Sequence, residues 1–182
     1  MIAPRLEGRW IRLRPVTPDD YAYLYALTTG SEASLRWRYH GLAVSPEAFE
    51  ESLWNGVTVQ FIAASIASGE PLGLVVAYNT SQRNRFTYVA AVFDPGRAGG
   101  AALEAVALLV DHAFAVLDLR KVYAEVSEFN LPQFASVTEG ILTEEARLHE
   151  HLYLDGRYWD NVFLSVTAER WHEVRGRVLR DE

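Results

Sequence analysis

Apolar and polar positions along the 182-residue chain change their period several times, and each change marks an element. Residues 10–14 alternate apolar and basic side chains in the two-residue rhythm of a short strand. Thr17-Pro18-Asp19-Asp20 follows, a Thr cap with Pro at the first helical position, and predicts a helix through Leu27. Ser45-Pro46-Glu47 repeats that signature ahead of a second helical segment reaching about Trp54, while residues 31–42 between them are irregular and rich in Trp, Tyr, Arg and His. Three β-rich runs come next, 57–66, 72–78 and 86–93. The turn Ser68-Gly69-Glu70-Pro71 and the polar stretch 79–85 separate them, so they read as an antiparallel meander. Leu103, Val106, Ala107, Val110, Phe114 and Leu117 then recur at helical spacing and 121–127 alternates again, which makes a strand, helix, strand crossover. Residues 130–139 fit a short helix, and two long strands, about 145–154 and 158–167, close on the turn Leu154-Asp155-Gly156-Arg157. No repeat, linker or low-complexity segment breaks the series, so a single domain spanning 1–182 is expected.

Composition changes this picture mainly by exclusion. A 49% hydrophobic content is enough for a sizeable core. The formal net charge of -7 disfavours nucleic acid and anionic membranes as partners and favours small cationic ones. Without cysteine there is no disulfide, no thiolate metal site and no cysteine nucleophile. The charged first ten residues have no apolar run of signal-peptide length, and the apolar stretch 101–116 is interrupted by Glu104, Asp111 and His112. That stretch reads as a buried helix, not a membrane span, and a cytoplasmic protein is expected.

The segment DPGRAGGAALEAVALLV, starting at Asp94, poses the sharpest chemical question. A glycine corner between a strand and a helix lets backbone N–H groups converge beside the positive end of the helix dipole, a place built for an anion. Arg97 adds a full charge, and Ala98, Gly99, Gly100, Ala101 and Ala102 keep side chains out of the approach path. A Walker loop needs Gly-Lys-Ser/Thr where this chain has Gly100-Ala101-Ala102, and the dinucleotide glycine spacing is absent. The segment alone is equally consistent with a tight turn packed against a sheet.

Arg97-Ala98-Gly99-Gly100-Ala101-Ala102 resembles the Arg/Gln-x-x-Gly-x-Gly/Ala pyrophosphate loop of the GNAT superfamily of acyl-CoA-dependent N-acyltransferases. Leu6-Glu7-Gly8-Arg9 through Arg14-Pro15 with Asp19-Asp20, and His151-Leu152-Tyr153-Leu154-Asp155-Gly156-Arg157-Tyr158 with Asp160, resemble the ribosomal-protein N-terminal acetyltransferase branch. The resemblance implies an α/β (α+β) fold: one mixed, mostly antiparallel seven-stranded sheet, splayed between strands four and five, with about four helices. It also implies acetyl-CoA as acyl donor, with no metal, its pantetheine arm lying in the splay. Val92 and Phe93 then supply backbone contacts and the oxyanion donors, and Asn130 and Gln133 contact the cofactor arm; Asn130 reads equally as a helix N-cap.

Several family features are missing. Gln133 stands where many relatives carry a Ser, Val137 where others carry a catalytic Tyr, and no acid lies within 86–93. Tyr88 is the only titratable side chain on that strand and is a catalytic candidate that could hold a water or the incoming amine, or else a core ring. His149, His151 and Tyr153 share a face by their two-residue spacing, which nominates His151 as base and His149 as an acceptor-site residue; ordinary strand positions, or a weak metal pair, are the alternatives. Trp37, Tyr39 and His40 fall where relatives shape the acceptor pocket, or are simple aromatic packing. Three readings therefore stay open: transfer of acetyl from acetyl-CoA to a primary amine of a small molecule or a protein N-terminus by direct attack in a ternary complex; a non-catalytic acyl-CoA-binding module; and transfer of another acyl group or to an oxygen acceptor. A homodimer is expected from family habit and from Trp54, Trp159 and Trp171.

Overall fold

A computed structural model describes residues 5–30, 37–39, 41–132 and 139–179. Seven strands make up a sheet: β1 (Ile11–Pro15), β2 (Val57–Ser65), β3 (Pro71–Ser81), β4 (Phe86–Phe93), β5 (Lys121–Ser127), β6 (Thr143–Leu154) and β7 (Arg157–Thr167). Their order is β1-β2-β3-β4-β5-β7-β6. β2, β3 and β4 form the expected antiparallel meander, β1 joins it antiparallel to β2, and among the described strands only β4 and β5 run parallel. A parallel step needs a crossover, which α3 (Gly100–Val116) provides. Asp155 and Gly156 both take positive φ, the type I′ geometry that the β6–β7 hairpin turn requires.

Each face of the sheet has its own apolar cluster. On one, α3 and the C-terminal α4 (Ala168–Leu179) pack against Ile11, Leu13, Phe61, Val75, Val122 and their neighbours. On the other, α1 (Tyr21–Thr29) and α2 (Pro46–Ser52) bury Leu24, Leu27, Phe49 and Leu53 against Ile62, Leu74 and Val92. The caps follow the sequence signatures. Ser45 Oγ accepts from the Ala48 N–H at 3.2 Å, and Thr17-Pro18 opens a 3-10 turn (Pro18–Asp20) that leads into α1. Asp20, only 6% exposed, accepts from Thr17 N–H at 2.9 Å and from the Arg14 guanidinium at 2.7 and 2.8 Å. The Arg14 bond is the main cause that holds its carboxyl below the ordinary range.

Two further contacts fasten distant parts of the chain. The Glu104 carboxylate accepts from the N–H groups of Arg9, Trp10 and Ile11 at 2.6, 2.9 and 3.0 Å. A side chain at Gly8 would overlap that carboxylate, which accounts for the glycine there. Asp111 of α3 accepts from Trp171 Nε1 at 3.0 Å and from Arg175 at 2.8 and 2.9 Å, joining α3 to α4.

Two expectations change. The α3 face pressed flat on the sheet carries Ala105, Leu108, Leu109 and Ala113; the expected stripe is offset, with Val106, Phe114 and Leu117 only partly buried. Burial on two sides, by the sheet and by α4, blurs the periodicity from which the stripe was read. Helix α4 was not anticipated, because its buried Trp171, Val174 and Leu179 are scattered among charged residues. Of the expected helix at 130–139, Asn130 ends a 3-10 turn (Glu128–Asn130), residues 131–132 are helical, and residues 133–138 lie outside the described residues. No helix among the described residues is long and apolar enough to cross a membrane.

Candidate functional site

The opening in the sheet comes from a difference in how far two neighbouring strands pair. β4 and β5 are in register only from Phe86↔Lys121 to Val89↔Ala124. Beyond that point β4 stays paired to β3 as far as Phe93, and β5 stays paired to β7 as far as Ser127. Each strand is therefore held from behind while their facing edges separate, leaving backbone donors and acceptors exposed to whatever enters. Asp94 N–H donates to Leu72 O at 2.9 Å, so by two-residue alternation the amides of Ala91 and Phe93 face the opening. Val92, in register with Leu74, turns its backbone toward β3 instead. Of the expected pair Val92 and Phe93, only Phe93 presents its amide to the gap. Its ring crosses Gly73, where any side chain would overlap it.

Just past this opening lies the glycine corner. Ala101 and Ala102 N–H close back on Ala98 and Gly99 carbonyls, whereas the amides of Ala98, Gly99 and Gly100 make no hydrogen bond among the described residues. Gly99 has φ 46°, a left-handed conformation suited to glycine, and Gly100 begins α3 with open space around it. Free amides at a helix N-terminus, with no side chain in front of them, fit a diphosphate such as the one CoA carries. Arg97 flanks the corner but is paired with Glu70 at 2.8 Å and Asp94 at 3.2 Å. Tyr23 Oη donates to the same Asp94 at 3.3 Å, and burial is the main cause pushing its phenol well above the ordinary range. A phosphate must draw Arg97 away from Glu70, so Glu70→Gln is expected to tighten CoA binding severalfold. Calorimetry showing no gain in affinity would mean that Arg97 takes no part.

On the α1 and α2 face, the sheet beside the opening is aromatic. Tyr88 and Tyr123 stack at 5.3 Å between centroids, Tyr78 lies 5.7 Å from Tyr88, and Phe86 meets Tyr88 and Tyr123 edge-on. Burial, followed by the neighbouring Tyr123 and Glu125, pushes the Tyr88 phenol upward, so it stays protonated and is unsuited to accept a proton. Trp37 and Tyr39 pack on the α1 and α2 cluster, with Tyr39 Oη 2.7 Å from Ser52 Oγ; His40 and Gln133 lie outside the described residues. Asn130, partly buried, ends the turn that leaves β5.

The grouping of His149 with His151 and Tyr153 fails at a bulge. Pairing slips between Leu148↔Asn161 and Leu152↔Trp159, and Glu150 takes φ 50°, so alternation does not run through the segment. His149 is 78% exposed and bonds Asp160 at 3.1 Å. His151 is exposed on β6, the outermost strand, which β7 separates from β5, and it makes no hydrogen bond among the described residues. This position does not support a base at His151. Of the tryptophans that suggested an oligomer surface, Trp171 is buried, Trp159 lies under the Arg157 guanidinium at 3.2 Å, and Trp54 is exposed. Among the described residues no cluster of His, Asp and Glu could hold a metal.

Two further residues, Glu125 and Asn161, lie beside the opening. Glu125 is the first β5 residue beyond the last β4 pair, and Asn161 Nδ2 donates to its Oε1 at 2.5 Å. Its place beside the opening depends on where two strands part, which no local pattern announces.

A sheet splayed beside an unobstructed helix N-terminus defines an acyltransferase class, and comparison with known proteins agrees. The model of the acetyltransferase (GNAT) domain family matches residues 11–138, and the chain belongs to that family. Its class is that of the acetyl-CoA-dependent N-acetyltransferases. The spermidine N(1)-acetyltransferase of Escherichia coli is 21% identical over 176 residues, covering 93% of this chain and 94% of that protein. A prophage-derived N-acetyltransferase of Bacillus subtilis is 26% identical over 118 residues, 64% of this chain and 66% of that protein, about two thirds of its length. The crystal structure of Vibrio cholerae spermidine N-acetyltransferase in complex with CoA and spermine superposes with a TM-score of 0.71 at 18% identity, covering 89% of this chain and 98% of that one. These comparisons do not support the ribosomal-protein branch.

Proposed function

We propose that this chain, as one unit across 1–182, moves an acetyl group from acetyl-CoA to a primary amine of a small cationic acceptor, with polyamines the foremost class. The observation that carries the reading is the β4–β5 opening, with the corner at 97–102 at one end and an aromatic, acidic surface on the acceptor side. The net charge of -7 and the polyamine substrates of the relatives named above support a cationic acceptor over a protein N-terminus.

The donor supplies a thioester whose thiol, with a pKa near the free value of about 8.5, leaves readily. Donors at the amides of Ala98, Gly99 and Gly100 hold phosphate, and the Phe93 amide is directed at the place where a carbonyl oxygen gains charge. An alkylammonium of pKa about 10.4 is only about one part in a thousand neutral at pH 7, so the amine must shed a proton before it attacks. With Tyr88 protonated and His151 remote, that proton leaves through water at the open face. Thiol release measured with acetyl-CoA against spermidine, spermine, simple monoamines and a peptide amine tests the reading. Turnover with the polyamines is expected; turnover with the peptide alone, or CoA binding without turnover on any amine, would overturn it.

A further inference from the structure

The geometry points to Glu125 as the residue that receives the acceptor's ammonium group, with Tyr78, Tyr88 and Tyr123 as the wall against which that cation rests; this rests on the amine acceptor proposed above. Val89↔Ala124 is the last β4–β5 pair, so Glu125 is the first β5 residue free of β4, at the point where the opening begins. Side chains two apart on a strand share a face, so Glu125 stands with Tyr123 on the side that carries α1 and α2. Across the opening its counterpart on β4 is Ala90, next after the last paired residue, and a methyl group there leaves the space above it clear.

The carboxylate is held and yet available. Asn161, 1% exposed on β7, donates to Oε1 at 2.5 Å and fixes its direction. Oε2 makes no hydrogen bond among the described residues. Among the described residues no cation pairs with it: Lys121, four positions earlier on the same face, is paired with Glu145 at 2.6 Å. Tyr88 stacks on Tyr123 at 5.3 Å and lies tilted to Tyr78 at 5.7 Å, and Lys121 Nζ lies 5.5 Å over the Tyr123 ring, so this row of rings offers an apolar flank for a methylene chain and leaves the ammonium charge to the carboxylate. One fixed carboxylate oxygen beside such a wall distinguishes an alkylammonium from a neutral nucleophile. It also sets the nitrogen at the mouth of the opening, on the side toward which the Phe93 amide is aimed.

Steady-state kinetics and calorimetry with spermidine test this in the full chain, comparing wild type with Glu125→Gln and Glu125→Asp. Gln keeps the bond from Asn161 and removes only the charge. A hydrogen bond to a charged group is worth enough that Glu125→Gln should raise the spermidine KM, and its Kd in the presence of CoA, by about 10–100-fold. The CoA affinity should stay within about twofold, kcat should change less than KM, and Glu125→Asp should recover part of the loss. If wild type acetylates spermidine and Glu125→Gln has the same KM and Kd, the assignment is wrong while the proposed function stands. Wild type that neither binds nor acetylates any amine would remove both.

Discussion

Replacing Gly100 by Asp is expected to weaken CoA binding by a factor on the order of 100 or more while leaving the protein folded. The fold should tolerate the change, because a Cβ at Gly100 meets nothing within 4 Å and its φ is not in the left-handed region. An acidic residue in the first turn of α3 even complements the helix dipole. The same carboxylate would lie in front of the free amides of Ala98, Gly99 and Gly100. There it repels a diphosphate and fills its place: two like charges about 4 Å apart at an effective dielectric near 20 oppose each other by about 4 kcal/mol. Gly99 is the poor choice for this test, since φ 46° would strain any side chain and confuse folding with binding. Calorimetry with CoA beside a melting curve decides it. Unchanged affinity in a folded variant would reduce the corner to a turn.

The largest loss of stability is expected at Asp111, far from that corner. Asp111→Ala removes the carboxylate that the mostly buried Arg175 guanidinium pairs with, and takes away the acceptor of the Trp171 N–H. Breaking a buried ion pair from one side typically costs about 3–5 kcal/mol, a large part of the stability of an ordinary domain. Burial pushes the Asp111 carboxyl upward, but the bonds from Arg175 and Trp171 outweigh it and the net direction is down. A carboxylate depressed in the folded state contributes stability above its unfolded pKa of about 3.9 and loses it as pH falls through the folded value. Wild type should therefore lose stability below about pH 4, and Asp111→Ala should flatten that limb of the profile. Chemical denaturation at pH 7 and at pH 3 measures both effects; a loss under about 1 kcal/mol at pH 7 would show that α4 is fastened by its apolar contacts alone.

Strands β4 and β5 were legible to the residue, because each alternates cleanly between turn signals and each has one strongly apolar face. The motif residues near the N-terminus were also legible, and the structure supplies their causes: Asp20 gathers Arg14 and Thr17, while Gly8 makes room for Glu104. What was hidden depended on partners distant in sequence. Helix α4 shows few apolar residues because Arg175 and Trp171 do much of its docking through one buried carboxylate. The bulge at Glu150 leaves the spacing of the histidines intact in the sequence while changing where they point. Glu125 looked like any polar strand position, since its place at the opening is set by β4 turning away and by Asn161 behind it.

The Glu104 contact constrains the order in which the molecule can assemble. Three amides at the entrance to β1 close on a carboxylate more than ninety positions later in the chain, so no early segment can satisfy them. Contacts of such long range form slowly, since the intervening loop must be closed before they give any return. On a ribosome, which releases the N-terminus first, β1 has to wait until β2 has been made and then until the first turn of α3 has emerged. The strand that leads the sequence is thus secured only after β2, β3 and β4 have been made, and the residue that secures it sits in the same helix that presents the amide at Gly100.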